Sequence, residues 1–405
     1  MTTMTAGAAD DRRARQNVLR LAAGSALAGA YASVIFATGA IVGSQLAPSR
    51  GLATLPVSVF VVGMAAGTLP AGWIARTRGR RVAFMLGTGF GCLCGLLAAL
   101  AIWLSSFALF CLATFCGGIY AAVAQSYRFA AADGASAAFR PRAISWVMAG
   151  GVFAGVLGPN LVSLTMNAFP PYLFMASFAA QAVVALVAMA VVGTVDAPKP
   201  TLLDTAGARP LLDVVRQPKF LIAALCGVVS YMLMNLVMTS APLAMKICGF
   251  SPIDSNFVIQ WHVVAMYLPS FFTGSLIARF GAQKIVAIGL AVISLAAVTG
   301  LMGIALWNFT GGLVLLGLGW NLGFIGSSAM VVETHRASER NKVQAFNDFL
   351  VFGTMAAGSF ASGQLLEGYG WGSVNWVVFP PVLLALAVLG LAGWRARGGG
   401  ERAAI

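Results

Sequence analysis

Charge is what this sequence has least of. Among its 405 residues only 25 are Lys or Arg and 12 are Asp or Glu, a charged share of 9%. Soluble domains carry about a quarter charged residues, so a water-covered globular surface is excluded. Histidine is almost missing: His262 and His335 are the two in the chain. Cysteine is sparse as well, with six residues. Cys92, Cys94, Cys111, Cys116 and Cys226 fall inside apolar runs. The Cys92-x-Cys94 spacing invites a metal reading, but no His or acid stands beside it. These thiols read as apolar filler, with neither a disulfide framework nor a cofactor site. No Walker loop and no His-Glu-x-x-His motif occurs, so nothing points to an ATPase or a zinc hydrolase.

What the chain does have is long apolar runs. Hydrophobic residues make up 59% of it and mean hydropathy is +0.87. Crossing a bilayer takes roughly 20 helical residues. Twelve runs reach that length: 18–42, 51–73, 82–104, 107–127, 142–165, 171–194, 219–245, 255–278, 284–306, 309–332, 343–366 and 371–394. The expected fold class is therefore an all-α membrane protein of twelve transmembrane helices. Met1–Gln16 is short and polar, and the run after it is too long for a signal-peptide core, so a retained first span is expected. The Gly, Ser and Thr residues inside the runs suit helices that pack closely in lipid.

Basic residues set the orientation. With both termini inside, 23 of the 25 Lys and Arg residues fall on the cytoplasmic side, and only Arg50 and Lys246 fall outside. That asymmetry is the positive-inside pattern of an inner-membrane protein. It also accounts for the net charge of +13 without a nucleic-acid partner, because such charge sits beside anionic lipid headgroups. One longer connection, 195–218, separates spans 6 and 7. It is expected to be a cytoplasmic linker between an N-terminal half, 1–194, and a C-terminal half, 219–405.

The two halves echo each other at an offset near 200 residues. Gly72 and Gly79 are seven apart between spans 2 and 3, as Gly274 and Gly281 are between spans 8 and 9. Asp133 precedes Arg140 by seven and Arg142 by nine, and Glu333 precedes Arg340 and Lys342 by the same intervals. Two matched loops at a common offset indicate a parallel six-span repeat, a recurrent transporter plan.

On these residues the chain resembles the major facilitator superfamily over nearly its whole length. The stretch Gly72-Trp-Ile-Ala-Arg-Thr-Arg-Gly79-Arg80-Arg81 is similar to that family's loop signature after span 2. The Asp133 and Glu333 spacings resemble its companion charge motif. Gly151, Gly155, Gly158 and Pro159 in span 5 resemble a glycine–proline motif of its antiporters, without the glycine pair that would complete it. The signature's Asp is replaced by Arg76 in the first loop and Ala278 in the second.

The resemblance implies that spans 1, 4, 7 and 10 line a central cavity. Tyr31, Tyr120, Tyr231, Asn235, Trp320 and Asn321 are the candidate solute contacts there. Tyr231 and Asn235 share one face of span 7. The plain alternative is helix-to-helix hydrogen bonding, about 0.6 kcal/mol each on average. Asp348 is the one acid well inside a span; with His262 and Arg128 it forms the set of coupling candidates, since embedded ionisable groups are costly and often functional. Asp348 could also simply favour its helix N-terminus.

Two charge clusters are expected at an inner gate. One joins Asp133 to Arg80, Arg81 and Arg140. The other joins Glu333 to Arg279, Lys284 and Arg340. Topology anchoring is the competing explanation for the basic members.

The resulting functional reading is a secondary transporter of a small organic solute working by alternating access, as a monomer in the lipid bilayer, with a co-transported proton as a candidate partner and no cofactor. Scarce mid-membrane charge argues for a neutral or weakly charged solute. The stretches 127–133 and 261–274 resemble a bacterial branch associated with vitamin uptake, riboflavin included. A drug or metabolite exporter is the alternative direction. An intramembrane enzyme would need a clustered catalytic set, and none is evident. A non-transporting sensor or assembly partner is separable by solute uptake in proteoliposomes.

Overall fold

The structure, a computed structural model, describes residues 2–49, 52, 55–197 and 207–402. Arg50, Lys199 and the 198–206 part of the expected linker lie outside these residues. The described residues are almost wholly helical: α1 (Thr2–Leu46), α2 (Leu55–Thr77), α3 (Arg80–Trp103), α4 (Phe107–Gln125), α5 (Tyr127–Asp133), α6 (Arg140–Thr165), α7 (Met175–Gly193), α8 (Leu211–Val215), α9 (Pro218–Ile247), α10 (Pro252–Tyr267), α11 (Ser270–Phe280), α12 (Ala282–Leu301), α13 (Leu306–Val332), α14 (Arg340–Trp376) and α15 (Phe379–Arg402). Helices satisfy every backbone donor and acceptor internally, which a lipid environment requires.

Among the described residues eleven helical stretches are long and apolar enough to cross a membrane, and the last of these, Ala361–Trp394, bridges α14 and α15. The backbone leaves helical geometry there at Gly370, with φ 77° and ψ 177°. That break separates an eleventh crossing from a twelfth, in line with the expected count. Two spans differ from their expected form. Span 4 continues through Ser126 into α5, which carries Arg128 and ends at Asp133. Arg128 therefore sits within the helical column instead of closing it. Span 8 is split at Pro269 into α10 and α11.

Helix partners repeat between the halves. In the first, α1 packs on α6, α2 and α3 on α4, and α3 on α7. In the second, α9 packs on α14, α10 and α12 on α13, and α12 on α15. Each pair in one half has its counterpart in the other, as a parallel six-helix repeat demands. Gly79 and Gly281 take equivalent corners, with φ 93° and 86°. Positive φ is strained for residues with a Cβ, which explains why glycine holds the end of each matched motif.

Candidate functional site

The halves meet most closely on the face that carries the basic loops. There α2 packs against α14, and α11 against α6. These contacts are again equivalent. A Cβ on Gly72 would collide with the Ala345 Cβ and come within 3.1 Å of the Asn341 carbonyl; a Cβ on Gly274 would come within 2.6 Å of the Pro141 carbonyl and 2.7 Å of the Ser145 Cβ. The first glycine of each sequence motif thus exists to let the halves touch. Ser145 strengthens the second contact: its hydroxyl donates to the Ser270 carbonyl and accepts from the Gly274 N–H at 2.9 Å. Beside the first contact, the space left among Gly72, Arg80, Gln344 and Asp348 is about 30 Å³, room for about one water and no solute. At the other end of the seam, α1 and α9 have no comparable packing.

Charged groups bridge the same seam. Arg80 donates to Asp133 within its own half and, at 2.5 Å, to the side-chain carbonyl of Gln344 in the other half. Gln344 in turn donates to Asp133 at 3.4 Å and sits 3.2 Å from His335 Nε2. Arg340 of the second half lies 3.7 Å from Asp133. Asp133 is therefore the acid of one cluster spanning both halves, not of a cluster confined to the first. Arg81 is exposed, and Arg140 donates to the Ala135 carbonyl instead, at 3.2 Å. The expected second cluster does not form. Glu333 is exposed and makes no ion pair among the described residues; Lys284 is exposed, and Arg279 stacks on the Phe280 ring at 5.2 Å. Arg340 has been drawn across the seam to the better-buried Asp133.

The acid that sequence reading overlooked is Glu339. It is fully buried and takes a two-pronged bond from Arg209, with both nitrogen–oxygen distances 2.7 Å, plus the Arg209 N–H at 3.0 Å and the Arg336 N–H at 2.9 Å. These bonds hold its carboxyl down at about 2. Lys342 also donates to the Arg209 carbonyl. The end of the linker is thereby fastened to the start of α14. A signal existed, since Glu339 stands at the helix N-terminus, but its partner is 130 residues away.

Deeper in the seam, Arg128 and Asp348 form an ion pair of 2.6 Å, with side-chain exposures of 0% and 4%. Arg128 also donates to Ser328 at 3.1 Å and to the Gln125 carbonyl. Its guanidinium lies over the rings of Phe129 and Phe324, at 4.2 and 4.6 Å. Asp348 accepts a further bond from Asn347 at 3.2 Å. Two of the coupling candidates thus neutralise one another across the halves. The third, His262, is apart from them: it is buried against α13, with Nδ1 2.7 Å from the Leu313 carbonyl.

Next to this pair lies an aromatic cluster. Tyr231 meets Trp320, Phe324 and Phe352 edge-on, at centroid distances of 5.4, 4.9 and 5.6 Å. Trp320 stacks on Phe324 at 5.3 Å and meets Tyr267 at 5.6 Å. Gln125 of the first half reaches the Tyr231 hydroxyl at 3.5 Å. The indole N–H of Trp320 is buried without a partner. Gln125, Tyr267, Phe324 and Phe352 were not foreseen; their positions on helices facing the seam could have been, from period alone.

The other expected solute contacts are placed elsewhere. Tyr31 and Tyr120 pack edge-on at 5.2 Å inside the first half, and the Tyr31 hydroxyl donates to the Gly91 carbonyl of α3 at 3.0 Å. Asn321 spends its whole amide on span 8, donating to the Met266 carbonyl and Ser270 hydroxyl, both at 2.6 Å, and accepting from Thr273 at 2.7 Å. Asn235 donates to the Met355 carbonyl at 3.3 Å. A buried amide takes whatever partner removes its desolvation cost, and here neighbouring helices supply it.

Known proteins resemble this one in sequence and in fold. The sequence profile described as Major Facilitator Superfamily matches residues 21–260 and 223–403. The chain is 46% identical over 384 residues to a Brucella anthropi protein named riboflavin transporter RfnT, covering 94% of this chain and 96% of that one. It is 28% identical over 348 residues to the uncharacterized MFS-type transporter YdeG of Bacillus subtilis, covering 82% of this chain and 81% of the other. Among solved structures, the proton:xylose symporter XylE superposes with a TM-score of 0.80 at 15% identity, covering 93% of this chain and 95% of that one. A bacterial homologue of the iron transporter ferroportin in its outward-facing state gives 0.72 at 14% identity, covering 94% and 99%. A multi-pass helical membrane protein built as two six-helix repeats, with these matches along its length, belongs to the major facilitator superfamily of transporters.

Proposed function

We propose that this transporter carries a flavin of the riboflavin class inward across the bacterial inner membrane. It does so by alternating access between an N-terminal half, 1–194, and a C-terminal half, 219–405, joined by a cytoplasmic linker at 195–218. The observation that carries this reading is the 46% identity, over 94% of the chain, to a protein named a riboflavin transporter. The site chemistry agrees. A flavin presents a flat, largely neutral ring system, and Tyr231, Tyr267, Trp320, Phe324 and Phe352 offer faces and edges for it. Aromatic pairs of this kind contribute about 0.5–1.5 kcal/mol beyond burial. Gln125 and the free Trp320 N–H supply the few polar contacts such a pocket needs. Both termini and the linker face the cytoplasm in this reading, because the basic loops lie there. Closed packing on that face, with little contact between α1 and α9 on the other, corresponds to an outward-facing state.

Asp348 is the proposed coupling group and Arg128 its counter-charge. Protonating Asp348 would free Arg128, loosen the seam and link proton entry to the change of state. A single chain supplies both halves of the path, so the working unit is a monomer in lipid.

The test is uptake of radiolabelled riboflavin by proteoliposomes, with and without an inward proton gradient. Gradient-stimulated, saturable accumulation is expected, and Asp348→Asn should abolish the stimulation. Efflux without uptake would make the protein an exporter. Neither movement, with a panel of other solutes also inert, would return it to a sensor or assembly role.

A further inference from the structure

Among the described residues, Gln344 is the side chain that bonds simultaneously to a base and an acid of the opposite half. Its carbonyl accepts from Arg80 at 2.5 Å, and its amide nitrogen donates to Asp133 at 3.4 Å. These two partners fix the orientation of the carboxamide, because a reversed amide would point N–H at a guanidinium and oxygen at a carboxylate. The remaining N–H of Gln344 then faces His335 Nε2 at 3.2 Å. That nitrogen must accept, so it carries no proton. The other ring nitrogen, Nδ1, lies 3.1 Å from the Arg336 carbonyl and donates to it. His335 is therefore locked as one neutral tautomer by Gln344, whose own orientation is set across the halves.

We infer that Gln344 is a positioning residue of the gate on the basic-loop face, and that His335 makes this gate sensitive to pH on that side. A proton added to Nε2 turns the acceptor into a donor facing another donor. The imidazolium must break from Gln344, or the amide must turn and give up both Arg80 and Asp133. The second outcome breaks the seam directly, and the first removes the bond that braces the Gln344 carboxamide toward Arg80 and Asp133; both favour the state open to the cytoplasm. The charged groups acting on the ring are Arg80 and Asp133 from the first half and Glu339 from its own, together with the Arg336 carbonyl. Glu339 is engaged by Arg209, and Asp133 by Arg80 and Arg340; both carboxylates still favour the added charge, whereas Arg80 opposes it. Burial likewise holds the His335 pKa below its ordinary value. The ring is neutral at resting pH and the gate is closed until the cytoplasmic side acidifies.

The inference rests on alternating access and on the basic loops being cytoplasmic, but not on a flavin being the solute. Its test needs no substrate. Spin labels would be placed at Arg81→Cys and Lys284→Cys, exposed positions at matched ends of the two halves, in a chain whose six native cysteines are replaced by alanine. Pulsed EPR would then compare distances at about pH 7.5 and about pH 5, a range spanning histidine titration. Acid should lengthen the distance distribution, with roughly a tenfold rise in the open-to-closed ratio, as loss of two hydrogen bonds implies. His335→Gln, an acceptor at every pH, should keep the short distance at both. His335→Lys, a permanent donor, should give the long distance at both. An unchanged acid response in His335→Gln, a closed His335→Lys at neutral pH, or no response in the parent would each overturn the inference. Failure of riboflavin uptake alone would leave it intact.

Discussion

Arg128 on α5 and Asp348 on α14 form a 2.6 Å ion pair that ties the first six-helix half to the second out of contact with solvent. Breaking a buried pair by removing one partner leaves a charge uncompensated, at a cost of about 3–5 kcal/mol. Arg128→Ala should accordingly lower the melting temperature of the purified protein in detergent. Removing both charges relieves the penalty, so Arg128→Gln with Asp348→Asn should melt closer to the parent than Arg128→Gln alone. A double mutant no more stable than that single mutant would show that the charges do not depend on each other.

The matched glycines give a second prediction. No room exists for a methyl group at Gly72 beside Ala345, or at Gly274 beside Ser145. Gly72→Ala should spread the seam on the basic-loop face while leaving each half folded, since the obstructing atoms belong to the opposite half. Gly274→Ala should do the same from the symmetric position. Thiol labelling of a cysteine introduced at Ala345 or Ser145, in a chain otherwise free of cysteine, would detect the opening as faster modification from that face. Equal labelling rates in parent and variant would mean that the halves absorb the extra atoms without separating.

The linker clasp yields a prediction in pH. Glu339 is held at about 2, well below the ordinary carboxylate value of 4.5, first by its side-chain bonds to Arg209. A depressed carboxyl stabilises the docked form fully above about 4.5. That contribution fades as pH falls further and is gone below about 2. Linker docking should therefore be indifferent to pH across the neutral range. Glu339→Gln should release it at all pH values. Arg209 is a third exposed, so solvent screening keeps the effect modest. Trypsin cleavage after Arg209 and Arg216 is the readout, and it should be faster in Glu339→Gln.

The fold was legible because lipid imposes length and polarity on every span, and the twelve apolar runs carry both. The repeat was legible for a physical reason as well: Gly72 and Gly274 are kept small by close contact with the opposite half, and Gly79 and Gly281 by positive φ. The charge partners were only half legible. Asp133 with Arg80 follows from adjacent loops, whereas Arg340 with Asp133 requires the halves to be docked. Arg128 and Asp348 each stood out as embedded charges, and their pairing would have followed from asking where each finds its counter-charge. Glu339 with Arg209 depends on the path of a linker that has no periodicity to read. The surroundings of Asn321 were not legible, because a mid-span amide looks the same in sequence whether it faces a cavity or a neighbouring helix.

Tyr231 and Asn321 lie on neighbouring spans and were expected to share one role, yet their surroundings separate them. Tyr231 sits among Trp320, Phe324 and Phe352 and touches Gln125 of the other half. Asn321 is bound entirely to span 8. Replacing Tyr231 by Ala should weaken riboflavin binding about tenfold or more, as loss of one good aromatic contact implies, while Tyr231→Phe should retain most of the affinity. Asn321→Ala leaves the Ser270 hydroxyl and the Met266 carbonyl short of a partner inside the second half, while Thr273 keeps its bond to the Pro269 carbonyl. Each such group costs about 1–3 kcal/mol when buried and unsatisfied. That substitution should lower the melting temperature and the amount of folded protein, with affinity unchanged in the fraction that folds. Titration of riboflavin by its fluorescence quenching, run beside thermal melts on the same preparations, separates the two effects. A Tyr231→Ala protein that binds riboflavin like the parent would remove the aromatic cluster from the solute path, and an Asn321→Ala protein that melts normally but binds weakly would put Asn321 there instead.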